Sequence, residues 1–302
     1  MMAYRTRTSP LMLLLCLTAS VAGAFQPLPT STRLLTTRSF IGAELTRTTR
    51  KPTSATTFHR CLTRATVLKS SSTDDDDTYF DVKTTVFLVG GQSLLVGVAV
   101  LLAFVLKTPN YGLGPDISFS TAAIVDGILK TLPLGVLAYL LDFVEDKIPA
   151  LRDVTLATQR SVMALLGATF KPGIGLLVSV ALGLAAGVGE EMLFRGVFQY
   201  ELAARVGQGV SLGVTSIIFG LLHAVTPAYA ILATLASLYF GWLYQSAGNL
   251  AVPITTHAIY DVGALMYAHW AVSQLTKEEQ KVIVEWGPPS DDNATDDDDV
   301  NA

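Results

Sequence analysis

The sequence predicts an all-α membrane protein, a polytopic helical bundle of about six transmembrane helices. Half of the residues are hydrophobic and only 15% are charged, and the mean hydropathy is positive. These values are typical of membrane proteins and unlike those of soluble domains. Long apolar runs also follow one another between Thr84 and Trp270, with short breaks between them. The membrane domain is therefore predicted at residues 84–272.

The first 24 residues have the order of a secretory signal peptide. Arg5 and Arg7 precede an apolar run at 11–17, and the small residues Val21-Ala22-Gly23-Ala24 follow. A basic start, a short apolar stretch and an Ala-x-Ala sequence are the three parts of such a peptide. Cleavage is predicted after Ala24.

Residues 25–73 change abruptly in composition. They contain eight Lys or Arg residues and 19 Ser or Thr residues, with Glu44 as the single acid. Such a segment cannot build a core and is typical of a transit peptide. A signal peptide followed by a transit peptide that begins with Phe25 resembles a bipartite plastid presequence. It implies a plastid membrane as the location; the alternative is a disordered N-terminus on a protein of the endoplasmic reticulum or another endomembrane.

Charge and cysteine content exclude several functions. The net charge of −4 comes largely from Asp runs in a predicted acidic linker at 74–83 and a predicted acidic disordered tail at 273–302. Basic patches with interleaved aromatic residues, as nucleic-acid binding requires, are absent outside the N-terminal segment. Cys16 and Cys61 both lie in the removed presequence, so thiol catalysis, disulfides and Cys–Zn sites are excluded for the mature protein.

Two apolar stretches open the membrane domain. Thr84 to Leu106 is 23 residues without a charge, which is enough to cross a hydrocarbon core of ~30 Å. Phe119 to Leu141 contains Asp126 and Lys130, which are four apart and share a helix face. We expect this second stretch to span the membrane with its charged face turned toward protein.

The rest of the domain begins with a polar stretch, 142–173, in which Val154 to Phe170 is predicted as an amphipathic helix at the interface. Four apolar runs follow: Ile174 to about Tyr200, Val210 to Ala224, Tyr229 to Gln245, and Leu250 to Trp270. The breaks between them are supplied by Gly207, Gly209, Pro227, Gly248 and Asn249. Close contact between helices is expected at small residues: Gly183, Ala185, Ala186 and Gly187.

Three ionisable residues lie inside the third apolar run, at Glu190, Glu191 and Arg195. An unpaired charge within the bilayer costs about 3 kcal/mol or more, so these groups must face a polar cavity or one another. Glu191 and Arg195 are four apart and are expected to pair. Glu190 is rotated by ~100° on the helix, which leaves it available as a general base. A purely structural ion pair is the alternative.

Two histidines lie in two further apolar runs. His223 ends the sequence Phe-Gly-Leu-Leu-His, and His257 begins His-Ala-Ile-Tyr-Asp. Asp261 lies one turn after His257 and is expected to orient its ring. A single histidine in an apolar helix is usually a hydrogen-bonded core residue, but two histidines and a carboxylate pair on three helices favour a site. His269 lacks such a partner in the sequence and is treated as a core residue.

Together the motifs are Glu-Glu-x-x-x-Arg at 190–195, Phe-x-x-x-His at 219–223 and His-x-x-x-Asp at 257–261. Their order on successive predicted helices resembles the CPBP family, which includes the type II CAAX prenyl proteases and the bacteriocin-immunity proteins. The resemblance covers about residues 155–270. It implies an all-α intramembrane fold and an intramembrane endopeptidase that hydrolyses a peptide bond of a protein or peptide substrate at the lipid bilayer.

The resemblance also implies roles for the first four site residues. Glu190 and His223 would activate the attacking water. Glu191 and Arg195 would hold the geometry of the site.

His257 and the residue at 261 would stabilise the oxyanion of the tetrahedral intermediate. The family often has Asn where this chain has Asp261, and an ionised Asp cannot donate to an oxyanion. Asp261 is therefore expected to be protonated, to orient His257, or to join a metal site. His223, His257 and Glu190 are also candidate ligands for Zn²⁺. Metallopeptidase and metal-free glutamate mechanisms both fit these residues.

Other classes remain open beside the enzyme. A non-catalytic membrane scaffold, an immunity-type protein, or a transporter that handles ions or protons would use the same buried charges. Transporters commonly have broken helices in paired halves, and the sequence has no such repeat. A prenylated substrate is the family's best-known kind, but the predicted plastid location makes other membrane-associated peptides equally suitable.

Overall fold

The computed structural model describes residues 82–286, and the described part is helical with no β-strand. A 3₁₀ turn, Pro109–Gly112, follows the first helix, and a π-helical segment, Met192–Gln199, continues the fifth. The ten α-helices of this part are α1 Val82–Leu106, α2 Thr121–Leu129, α3 Thr131–Glu145, α4 Pro149–Leu166, α5 Pro172–Glu191, α6 Tyr200–Val206, α7 Gln208–Leu222, α8 Pro227–Ala247, α9 Ala251–Ser273 and α10 Lys277–Glu285. The predicted all-α bundle is confirmed.

Several sequence predictions fall on residues that are not described. They are the signal peptide at 1–24, the transit segment at 25–73, the acidic linker up to residue 81, and the tail from residue 287. Import into a plastid therefore stays a prediction.

Three helices of the described part are long and apolar enough to cross a membrane: Val82–Leu106, Thr121–Glu145 and Pro172–Val206. The chain is thus an integral membrane protein. Gln208–Leu222 is a shorter apolar helix. The expected number of spans, about six, also includes α8 and α9, which are long but carry more polar residues: Tyr229, Tyr239 and Tyr244 in α8, and His257, Asp261 and His269 in α9.

The second span is interrupted at Lys130, where α2 ends and α3 begins. The predicted pair with Asp126 is present, with 3.9 Å between Lys130 Nζ and Asp126 Oδ1. Both side chains are only partly exposed, and they lie on the same side of α2 as its buried residues, so the charged face turns toward the bundle at its edge. The face of α2 that is buried carries the small residues Ala123 and Gly127.

The amphipathic helix expected before the third span is α4, which begins at Pro149 rather than near Val154. Half of its residues are buried, among them Leu151, Val162 and Leu165. Its apolar face packs against α9, α8 and α10. This helix is therefore packed onto the bundle, and its position at the membrane interface stays a prediction.

The segment 273–302, predicted as a disordered tail, contains a helix at Lys277–Glu285. Thr276 accepts a hydrogen bond from the Glu279 backbone N–H, and the Glu279 side chain accepts one from the Thr276 N–H, which forms a capping box for α10. Ile283 is buried, and Arg160 of α4 donates to the carbonyl of Trp286. Local capping and one buried side chain thus order this segment against α4.

Helices α5 and α9 pack closely because α5 presents glycine at the crossing. A Cβ atom at Gly183 would lie 2.9 Å from the Ala258 carbonyl oxygen, and one at Gly187 would lie 3.0 Å from the Ala258 nitrogen. The predicted role of these two glycines is confirmed. The close approach places the end of α5, with both glutamates, directly against the middle of α9.

Gly196 is expected to be the glycine least tolerant of alanine near the site. Its missing Cβ would collide with the carbonyl oxygen of Gly112, a backbone atom that cannot rotate away. Gly196→Ala should therefore lower the free energy of unfolding by about 1–3 kcal/mol or more, measured by denaturation in detergent. Gly213→Ala is the control, because nothing lies within 4 Å of its Cβ position. Equal stability of the two variants would contradict the close packing.

Candidate active site

The two glutamates lie at the end of α5, where the α-helix passes into the π-helical segment. Glu190 and Glu191 are 1% and 0% exposed. Consecutive helical residues point about 100° apart, so the two carboxylates have different partners. π-Helical segments are rare and occur frequently at functional sites.

Glu191 has two partners, an arginine and a histidine. Arg195 Nη1 donates to Glu191 Oε1 at 3.0 Å, and His257 Nδ1 lies 2.8 Å from the same oxygen. Because a carboxylate oxygen only accepts, the hydrogen bond places the proton on His257 Nδ1. The predicted pair of Glu191 and Arg195 is confirmed. Because Glu191 Oε1 also contacts His257, it links α5 to α9.

Arg195 is fully buried, and its two terminal nitrogens are hydrogen-bonded. Nη2 donates to the carbonyl oxygen of Ser237 at 2.9 Å and to its hydroxyl at 2.8 Å. The guanidinium carbon lies 5.1 Å from the ring centre of Phe219 and 5.5 Å from that of Phe240. Two aromatic faces and two hydrogen bonds thus hold the cation in place beside Glu191.

Glu190 faces a different set of groups. Its Oε2 lies 3.7 Å from His223 Nε2, and its Oε1 accepts a hydrogen bond of 3.2 Å from Gln92 Nε2 of α1. His223 Nδ1 lies 2.6 Å from the carbonyl oxygen of Phe219. Since a carbonyl oxygen accepts, His223 Nδ1 carries a proton and Nε2 is the ring nitrogen that faces the carboxylate.

The histidine rings are stacked on the two phenylalanines that enclose the arginine. The Phe219 and His223 rings are 4.0 Å apart and inclined by 17°. The Phe240 and His257 rings are 4.6 Å apart and inclined by 9°. Each imidazole is therefore fixed both by a hydrogen bond and by an aromatic face.

Asp261 lies beside His257, as its position one turn later predicts. Its Oδ2 is 3.5 Å from His257 Nε2, and both side chains are buried. Neither carboxylate oxygen accepts a hydrogen bond from the described residues. The two nitrogens of His257 thus face Glu191 and Asp261, each on its own side of the ring.

All six predicted site residues come together, in two neighbouring groups. One group contains Glu190 and His223, and the other contains Glu191, Arg195, His257 and Asp261. This agrees with the similarity of the sequence to a known family.

Residues 172–263 match the family model of the type II CAAX prenyl endopeptidases, described as Rce1-like. All six residues lie within the matched range. No curated protein and no solved structure matches the chain significantly. The match supports the resemblance to the CPBP family and a protease of the CAAX type, with a peptide substrate at the membrane.

Three partners of the CAAX-protease motifs were not expected from the sequence: Gln92, Ser237 and Phe240. Gln92 is the one amide side chain of α1, and an amide in a membrane span is a detectable signal for a buried polar contact. Ser237 and Phe240 lie in α8, which carries none of the three motifs, and their residue types are ordinary in membrane helices. They are found only through the contacts of Arg195 and His257.

His269 has a partner that the sequence did not indicate. Its Nε2 accepts a hydrogen bond of 2.9 Å from the backbone N–H of Lys171, and its ring contacts Phe170. Lys171 precedes the first residue of α5. His269 therefore fastens the start of α5 to α9, at the opposite end of α5 from the two glutamates.

The residues proposed as zinc ligands do not form a ligand set in this arrangement. In the described part of the chain, no three His, Cys, Asp or Glu side chains are grouped so as to hold a metal ion. The reason is visible in the contacts: His223 faces Glu190, whereas His257 lies between Glu191 and Asp261. The Zn²⁺ site stays a prediction from the sequence, and no step below is derived through it.

An apolar pocket of about 250 Å³ is lined in part by Phe194. None of the six site residues lines it. Phe194 contacts the Phe219 ring edge-on, with 4.9 Å between centres, and Phe219 in turn stacks on His223. The rings of Phe194 and Phe219 therefore lie between this pocket and His223.

Proposed function

We propose that this chain is an intramembrane endopeptidase that hydrolyses peptide bonds of membrane-associated proteins or peptides. The observation that carries the proposal is the buried pair of Glu190 and His223, with 3.7 Å between Oε2 and Nε2. That separation is longer than a hydrogen bond, and one bridging water would bring both groups within hydrogen-bond distance of it. A water held in this way is oriented by two groups that can take up its proton.

The proposed reaction begins with this water. Glu190 takes one proton from it as the oxygen attacks the carbonyl carbon of the scissile peptide bond. A tetrahedral intermediate with a negatively charged oxygen forms. The proton is then delivered to the leaving nitrogen, the C–N bond breaks, and a carboxylic acid and an amine are released.

The second group of residues supports this reaction. Glu191 and Arg195 hold the end of α5 in its position, because their pair is fully buried and joined to α8 through Ser237. His257 in its protonated form would donate from Nε2 to the oxyanion, since Nδ1 is already bound by Glu191. Asp261, near Nε2, would orient that ring.

Cleavage of membrane-tethered peptides by the purified protein in detergent tests the proposal. We expect wild type to cleave and His223→Gln to lose cleavage by about 10²-fold or more, because one partner of the water is removed. His269→Gln is the matched control, since it replaces another buried histidine whose partners, Lys171 and Phe170, lie at the opposite end of α5 from the glutamates. It should cleave within about threefold of wild type.

The same assay with a chelator decides between the two mechanisms. Cleavage that persists in the chelator supports the metal-free glutamate mechanism, whereas loss that is restored by Zn²⁺ supports the zinc site. Failure of the wild-type protein to cleave any peptide would overturn the proposal and favour a non-catalytic scaffold or a transporter.

A further inference from the structure

The amide side chain of Gln92 lies on the narrow face by which α1 contacts the bundle. The buried residues of this helix follow one stripe: Thr85, Leu88, Gln92, Ala99 and Ala103. Residues on its other faces, such as Phe87 and Phe104, are about 70% exposed, as expected for side chains that face lipid. Gln92 is 4% exposed, and it lies outside the residues that match the family model.

A buried amide in an apolar interface destabilises a protein unless its polar atoms are hydrogen-bonded. Gln92 Nε2 donates to Glu190 Oε1 at 3.2 Å. Its own Oε1 is buried and accepts no hydrogen bond from the described residues. The orientation of the amide follows from chemistry, because a carboxylate oxygen can only accept and so must face the NH₂ group.

Close packing of α1 on α5 places the backbone of Gln92 beside Gly189. A Cβ at Gly189 would lie 2.8 Å from the Gln92 carbonyl oxygen and 3.1 Å from the Cβ of Leu95. Thus α1 and α5 touch through a glycine immediately before Glu190. The close approach sets the distance between the Gln92 backbone and the end of α5.

We propose that Gln92 is a positioning residue for the Glu190 carboxylate. Its N–H group holds Oε1, so that Oε2 is turned toward His223. This inference rests on the proposed endopeptidase activity and assigns a functional role to α1, which the three motifs do not include.

Kinetics of Gln92→Leu test the role. Leucine has a similar size and keeps the interface apolar, but it cannot donate to Glu190. We expect kcat to fall by about 10- to 100-fold, as for a misplaced catalytic group, while KM changes by less than about threefold. The control is Ser93→Ala on the exposed side of α1, with unchanged kcat. A purely structural role would lower the thermal stability and leave kcat of the folded protein unchanged, and that result would overturn the proposal.

Infrared spectroscopy tests the contact without any need for cleavage. The carboxylate band of Glu190 is identified by its loss in Glu190→Gln. This band should shift in Gln92→Leu and stay in place in Ser93→Ala, because only the first variant removes a hydrogen bond to the carboxylate. An unshifted band in Gln92→Leu would overturn the positioning role. If the wild-type protein cleaves no peptide but the band shifts, the endopeptidase proposal fails while the contact stands.

Discussion

Replacing Glu190 with glutamine should reduce peptide cleavage by about 10³-fold, within the range of general-base catalysis, with little change in folding. Glutamine has the same shape and can still accept from Gln92 Nε2 through its carbonyl oxygen. It cannot take up a proton from water at neutral pH. A loss of 10³-fold corresponds to about 4 kcal/mol in the activation free energy. The measurement is kcat/KM on a membrane-tethered peptide, with the thermal unfolding midpoint as the check on folding.

Glu201→Gln is the matched control for that substitution. Glu201 is a partly buried glutamate in α6 that accepts a hydrogen bond of 2.8 Å from Thr108 and pairs with Arg205. It has no contact with the site groups, so cleavage should stay within about threefold of wild type. Full activity of Glu190→Gln would show that Glu190 is not the general base. A similar loss in both variants would point to a general effect of glutamate removal on folding.

The parts of the site that could be predicted are those set by spacing along one helix. Glu191 and Arg195 are four apart, and so are His257 and Asp261, so each pair shares a helix face in any α-helical fold. The cost of burying charge in a membrane then requires the separate helices to bring their ionisable groups together. Sequence alone therefore indicates both the residues and their convergence.

The parts that could not be predicted depend on contacts between helices distant in the sequence. Gln92 reaches Glu190 from α1, and Ser237 reaches Arg195 from α8. The hydrophobic periodicity of one helix does not indicate which other helix it will contact, or at which residues. The π-helical segment is another such feature, and within it Gly196 packs closely against Gly112, which is distant in the sequence.

The sequence prediction missed the helix at 277–285 for a different reason. Its signal was present in the sequence, since Thr276 and Glu279 have the spacing of a capping box. The acidic composition of the segment nevertheless favoured disorder in the prediction. A local cap together with the burial of Ile283 outweighed that composition.

Removal of the Arg195 side chain should destabilise the bundle by about 3–5 kcal/mol, because it leaves the Glu191 carboxylate buried without its arginine. Arg195→Ala also empties the space between the rings of Phe219 and Phe240 and leaves the Ser237 hydroxyl without its donor. The variant should unfold at a lower temperature or denaturant concentration in detergent, and little folded protein should be recovered.

A second Arg–Glu pair in the chain is the control for the effect of burial. Arg205 and Glu201 have the same i, i+4 spacing as Arg195 and Glu191, but the Arg205 side chain is 61% exposed. An exposed pair contributes about 0–1 kcal/mol, so Arg205→Ala should unfold near the wild-type midpoint. Equal midpoints for Arg195→Ala and wild type would mean that the buried pair does not hold α5, and the structural role of Arg195 would be wrong. A large loss in Arg195→Ala alone would show that burial, and not the pairing motif itself, makes this arginine essential to the fold.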